Sequence, residues 1–133
     1  MKKLNKGAGS VYGRTEEKVS ALRLAILEAR RLTLNLNPIL VAEHLSLEEW
    51  LVLDTLSEHD GLSMSELGAG TLASNATLSR HVDSLATRAL VFREVAFEDR
   101  RRIMIHLSKR GRDLQRNVAS RLLAKEQAIF AGS

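Results

Sequence analysis

Residues 74–107 read SNATLSRHVDSLATRALVFREVAFEDRRRIMIHL. Ser74 is a helix N-cap by residue type, and Leu78, Val82 and Leu85 follow at spacings of four and three, one buried stripe of a short helix. Asn75, Thr77, Ser79, Arg80 and His81 fall largely on its other faces. From Leu90 to Phe97 the content turns β-branched and aromatic, with Val91, Val95 and Phe97 alternating against Phe92, Glu94 and Ala96, which predicts a strand. Ile103–Leu107 is its predicted partner, and the charged run Glu98-Asp99-Arg100-Arg101-Arg102 makes the turn between them. A polar-faced helix followed by an arginine-tipped hairpin predicts a winged helix-turn-helix, an architecture that reads DNA with the helix in the major groove and the hairpin in the minor groove.

The flanking sequence fits that frame. Val19, Leu22, Ile26 and Ala29 begin an apolar stripe in a helix starting near Thr15, continued by Leu32, Leu36, Ile39 and Leu40. Pro38 is the only proline and predicts a kink or break near Asn37. Ser46-Leu47-Glu48-Glu49 is a capping box that opens a second helix through Trp50, Leu53 and Leu56, ended by Asp60-Gly61. Ser63-Met64-Ser65-Glu66 repeats the pattern for a short helix around Leu67, which Gly68 and Gly70 weaken. A further short strand is admitted near Leu62. Ser108 caps a last helix, with Leu114, Val118, Leu122 and Ile129 as its stripe. The predicted class is mainly α (α+β). A flexible arm covers residues 1–14, helices over 15–45 and 108–133 flank the lobe, and the winged lobe spans 46–107.

Charge supports the same reading. The 133 residues carry 20 Lys+Arg against 16 Asp+Glu, but the segregation matters more than the total. Residues 15–87 are net acidic, whereas residues 88–125 hold eleven basic and four acidic side chains. One strongly basic segment in a small protein is the footprint of a phosphate-backbone binder. The bland alternative is a solvated surface; its coincidence with the hairpin favours DNA. There are no cysteines, which excludes disulfides, cysteine-based zinc sites and thiol redox sensing. No apolar run reaches the roughly 18 residues that span a bilayer. The N-terminal stretch has lysines but no apolar core, so no secretory signal is read there and the expected compartment is the cytoplasm.

Particular side chains carry the expected chemistry. Ser74, Asn75, Thr77, Ser79 and Arg80 sit where a recognition helix meets base edges, and Arg80 suits a bidentate contact to guanine. Taken alone, an ordinary well-capped surface helix explains them equally well. Asp99 stands two residues before Arg101 and can hold that guanidinium extended toward a narrow minor groove, with Arg100 and Arg102 supplementing it at phosphates. Arg14, Arg110 and Arg112 are further phosphate candidates. His44, His59, His81 and His106 lack metal spacing and read as surface or packing residues; His44 and His59 are weak candidates for zinc or an anion. No cofactor motif, paired-carboxylate constellation or nucleophile elbow is present, so an enzyme is not expected.

The run from Leu45 to Leu114 resembles the MarR family of transcriptional regulators. The matching pieces are LSLEEWLVLDTL, GLSMSEL, and the helix–strand–turn–strand passage containing Thr77, Arg80–Leu85, Asp99-Arg100-Arg101 and Leu107-Ser108-Lys109-Arg110-Gly111. The resemblance covers about half of the chain directly. It implies a homodimer with interlaced N- and C-terminal dimerisation helices, bound to double-stranded DNA at a pseudo-palindromic operator, usually as a repressor. It also implies a small aromatic or phenolic effector between the dimer helices and the DNA-binding lobe, with Leu40, His44, Trp50 and Leu53 as the guessed pocket. Two departures stand out. Ala89 occupies a position where the family commonly has glycine, and Gly68 and Gly70 replace better helix formers. The absence of cysteine excludes the peroxide-sensing branch. The rivals are a winged-helix protein-interaction module with incidental arginines and, less well supported, a small hydrolase or transferase.

Overall fold

The computed structural model describes the backbone of residues 2–132 and the side chains of residues 20–132. The elements in order are α1 (Lys2–Ala42), α2 (Leu47–Ser57), β1 (Leu62–Ser63), α3 (Met64–Thr71), α4 (Asn75–Thr87), β2 (Val91–Val95), β3 (Ile103–Leu107) and α5 (Lys109–Ala131). The chain divides into two units, residues 1–35 and 36–133. The helix expected to start near Thr15 begins at Lys2, and the side chains of the expected arm at residues 1–14, Arg14 among them, lie outside the described ones. Among the described residues, no helix is long and apolar enough to cross a membrane.

In the first unit, the described part of α1 leaves its apolar side chains open. Leu22, Leu24, Ile26, Leu27 and Leu34 are all exposed.

The second unit holds the core. Leu53, Leu56, Leu67, Leu78, Val82, Leu85, Ile105 and Val118 are all essentially inaccessible and form one cluster with Leu40 and Trp50. At about 1.5–3 kcal/mol for each large apolar side chain removed from water, this cluster is the main force holding the lobe together. Helix α2 is central to it, packing on α3, α4, α5 and β3.

Serine caps open the helices. Ser46 accepts from Glu49 N (3.0 Å) and its own N–H donates to Glu49 Oε1 (2.9 Å). Ser63 and Glu66 repeat the exchange at 3.1 and 2.9 Å. Ser74 and Ser108 accept from the third helical N–H of α4 and α5. Both capping boxes read from the sequence are therefore present, and α3 forms despite Gly68 and Gly70.

Pro38 lies inside α1 and does not interrupt it, so of the kink or break expected near Asn37 the break is absent. The ring removes one helical hydrogen bond at a cost of about 3 kcal/mol. Burial of Leu40, with Leu36 and Ile39 packed on the core, offsets that cost by anchoring the residues on both sides of the proline.

The sheet has the order β1-β3-β2, all antiparallel. Leu62 pairs with Ile105 and Val91 with Leu107, so the admitted short strand at Leu62 is real. The strand read over Leu90–Phe97 is shorter than expected, and its alternation fails. Within β2 only Val91 is buried, and Val95 and Phe97 are exposed. The hairpin runs out past the core, so Val95 and Phe97 point away from it, while Ala96 between them is buried.

Among the described residues, three other than glycine adopt positive φ: His44 (56°), Leu72 (59°) and Ala89 (59°). Each follows a helix. At Ala89, Leu90 N–H returns to Leu85 O and Ala89 N–H to Ala86 O, the double bond of a Schellman turn. The left-handed conformation costs an L-residue about 1–2 kcal/mol, and glycine's extra chain entropy costs about 0.5–1 kcal/mol. Ala89→Gly is therefore expected to raise unfolding stability by roughly 0.5–1 kcal/mol, read as a higher urea midpoint at unchanged slope. A lower midpoint would show that Ala89 packs better than its backbone suggests.

Candidate nucleic-acid interface

Helix α4 separates its two roles cleanly. Leu78, Val82 and Leu85 are fully buried, while Asn75, Ser79 and Arg80 are exposed. Ser74 and Thr77 are already engaged with one another: the Ser74 hydroxyl accepts from Thr77 N and donates to Thr77 Oγ1 at 3.0 Å. Of the five residues expected on the recognition helix, these two build the helix start. Arg80 has no hydrogen-bond or ion-pair partner among the described residues, so its planar guanidinium is open to a ligand.

The hairpin tip is a hydrogen-bonded turn. Arg102 N–H donates to Asp99 O (2.9 Å) and Ala96 N–H to Arg102 O (2.7 Å). The Asp99 carboxylate accepts from Arg101 N–H at 3.0 Å and from Arg101 Nε at 3.4 Å. This is the geometry expected from the Asp-x-Arg spacing: one carboxylate braces both the backbone and the base of the guanidinium. The Arg101 side chain remains 92% exposed. Arg100 is exposed and has no partner among the described residues. Arg102 differs: its Nη2 donates to Glu66 Oε1 of α3 at 3.1 Å.

Two of the ion pairs in this region were not legible beforehand. Arg93 of β2 is paired with Asp83 of α4, and Arg102 with Glu66. The Glu66 carboxyl is held below the usual carboxylate range, first by the backbone N–H of Ser63, then by its hydroxyl, with Arg102 adding to both. The capping pattern marked Glu66, but nothing in the sequence marked its partner. Arg110 and Arg112 are exposed in the first turn of α5.

Along the hairpin, His106 stacks on Phe92 with ring centroids 5.2 Å apart. Its Nε2 lies 3.5 Å from Glu94 and its Nδ1 3.9 Å from Asp60. A cavity of about 300 Å³ opens there, lined in part by Asp60, Glu94, Glu98, Arg102 and His106. Among the described residues no three His, Asp or Glu side chains come together to hold a metal ion.

Three of the four guessed effector residues lie in the core of the lobe. Leu40, Trp50 and Leu53 are buried in the hydrophobic cluster. Only His44 reaches the surface, and its carbonyl accepts from Arg88 at 2.7 Å. Their apolar character reads equally as a pocket or as packing, and in this chain packing uses it.

Comparison with known proteins agrees with this geometry. A family model described as the MarR family matches residues 45–102. No curated protein matches the chain by sequence. Among solved structures, AbsC, a MarR family transcriptional regulator from Streptomyces coelicolor, is similar with 30% identity and a TM-score of 0.76, over 85% of this chain and 78% of that one. The F27L mutant of MepR from S. aureus, bound to an oligodeoxyribonucleotide, has 22% identity and a TM-score of 0.68, over 84% and 82%. NadR in complex with 4-hydroxyphenylacetate has 22% identity and a TM-score of 0.73, over 81% and 77%.

Proposed function

Because the chain belongs to the MarR family of transcriptional regulators, which are DNA-binding proteins and not enzymes, we propose that it is a homodimeric repressor of a pseudo-palindromic operator. The observation that carries this reading is the braced, outward-facing Arg101 beside a recognition helix whose Arg80 is unengaged. In this reading Asn75, Ser79 and Arg80 meet base edges in the major groove, with Ser74 and Thr77 at the helix start facing phosphate. Arg101, braced by Asp99, enters the minor groove, with Arg100 at the adjoining backbone. The oligonucleotide bound to the MepR mutant is in keeping with this.

Two exposed apolar faces support a second copy as partner. One is the α1 surface at Leu22, Ile26 and Leu27; the other is the far part of α5 at Leu123 and Phe130. Release by a small aromatic or phenolic effector belongs to the same proposal, and the 4-hydroxyphenylacetate bound to NadR indicates the ligand chemistry to try first.

The test is selection of genomic fragments by the purified protein, then footprinting at two salt concentrations. A protected inverted repeat with half-sites about 34–36 Å apart and steep salt dependence is expected. Retention without a selected sequence would sink the proposal.

Two substitutions separate the roles. Arg80→Ala is expected to lose about 1–3 kcal/mol of discrimination at one base pair of each half-site, read as relaxed sequence preference in a second selection. Arg101→Ala is expected to weaken all sites alike and to reduce the slope of log affinity against log salt by about one per bound half-site. A footprint indifferent to both changes would remove these residues from the interface.

A further inference from the structure

The wing carries two arginines, one midway along β2 and one at the end of its turn, that are already engaged with the helix-turn-helix. Arg93 on β2 reaches Asp83 of α4, and Arg102, just before β3, reaches Glu66 of α3. The two pairs therefore link the wing separately to the two helices of the motif.

Glu66 is a prepared acceptor rather than a loose surface acid. The same Oε1 that takes Arg102 also accepts the Ser63 backbone N–H at 2.9 Å. Ser63 in turn pairs with Met104 in the β1–β3 ladder, two residues from Arg102. The carboxylate is thus tied to β1, which pairs with the wing strand β3. At the other end, the turn fixes the Arg102 backbone through both its N–H and its carbonyl. Arg101, one residue earlier, extends from the same turn almost fully exposed, whereas Arg102 is half covered. Three consecutive arginines of one charge run consequently have different surroundings.

We infer that Glu66 and Arg102 are positioning residues, a pair that sets the pose of the wing against α3, and that Arg102 makes no phosphate contact of its own. The inference rests on the DNA-reading function proposed above and corrects the supplementary phosphate role expected for Arg102. It has an unusual consequence: an acidic side chain at the edge of a DNA-binding surface promotes binding.

The test uses the full chain and the fragment obtained by selection. The variants are Glu66→Gln, Arg102→Ala, Arg102→Lys and the double variant Glu66→Gln/Arg102→Ala, with Arg101→Ala for comparison. Glutamine keeps the capping acceptor and removes the charge. Affinity is measured across a salt series, with melting temperature alongside. Glu66→Gln and Arg102→Ala are each expected to weaken binding about three- to tenfold, somewhat above the usual worth of an exposed pair because two contacts in the dimer are affected. The double variant is expected to be no weaker than either single one. The salt slope stays at the wild-type value, melting falls only slightly, and Arg102→Lys recovers most of the loss. Tighter binding by Glu66→Gln overturns the inference, since a mere surface acid would repel phosphate. A slope reduced by about one per half-site in Arg102→Ala also overturns it. If Glu66→Gln does not fold, the slopes of the two Arg102 variants decide alone. Wild-type protein without salt-dependent binding would instead remove the DNA-reading assignment itself.

Discussion

Gly111→Ala is expected to cost the lobe about 3 kcal/mol or more, at the upper end of overpacking penalties. Gly111 is the third residue of α5, and its N–H donates to the capping Ser108 hydroxyl at 2.9 Å. A Cβ built on it would stand 1.9 Å from Leu90 O and 2.9 Å from Leu90 C. Both are backbone atoms, so no rotamer change relieves the contact. The backbone there is also fixed from several sides. Ser108 N–H donates to Leu90 O at 3.0 Å, the Ser108 hydroxyl donates to Ala89 O at 2.6 Å, and Ala89 is held at positive φ. Alanine would gain about 1 kcal/mol of helix propensity, which is too little to compensate. For a lobe of this size the loss corresponds to a fall of roughly 12–24 °C in melting temperature. An unchanged melting temperature would mean that α5 can move off the end of α4 freely, and the packing described here would be wrong.

Glu49→Ala is the second large effect, expected to destabilise by about 2–3 kcal/mol, the sum of a lost cap and a stranded polar partner. Glu49 is nearly buried. One carboxylate oxygen closes the capping box of α2, and the other accepts the Ser84 hydroxyl of α4 at 2.8 Å. It therefore joins the start of α2 to the recognition helix. Burial pushes its carboxyl upward, but hydrogen bonds from the Ser46 backbone and from the Ser84 and Ser46 hydroxyls, with the charge of Arg88, outweigh burial and bring it below the ordinary value of 4.5. The sign of the pH dependence follows. Stability from this carboxylate is fully present above its unfolded value and is lost as pH falls through its lower folded value. The gap in urea midpoint between wild type and Glu49→Gln is expected to be wide at neutral pH and to shrink below about pH 4.5. Taking the difference cancels Glu66, which titrates in the same direction. A gap that is constant with pH would show that the charge of Glu49 contributes nothing to the lobe.

What could be read in advance was local. Ser46/Glu49, Ser63/Glu66, Ser74 and Ser108 announce helix starts because a cap is satisfied within three residues. Asp99 and Arg101 announce a braced turn for the same reason. Ala89 could be flagged because a non-glycine residue at a helix exit is unusual, and the structure places it at positive φ. What could not be read depends on distant partners. Glu49 meets Ser84 across 35 residues, and Arg102 meets Glu66 across 36; neither spacing has any periodicity to detect. Pro38 misled because its local cost is legible, whereas the packing of Leu36, Ile39 and Leu40 that overrides it is tertiary. The pocket was named from topology alone, because buried apolar side chains look alike in sequence whether they enclose a cavity or fill one. The strand was extended too far because Phe97 has the composition of a strand but, like Val95 at the strand's end, no core beneath it.

Trp50 is the only tryptophan of the chain, and it sits in the lobe's core at 7% exposure. Its intrinsic fluorescence therefore monitors the winged lobe without any label, while residues 1–35 contribute no indole signal. Far-ultraviolet circular dichroism, by contrast, sums over every helix. Recorded on one sample, the two signals form an internal pair: coincident transitions would report one cooperative unit, and separated ones would assign the early loss of ellipticity to the first helix melting ahead of the lobe.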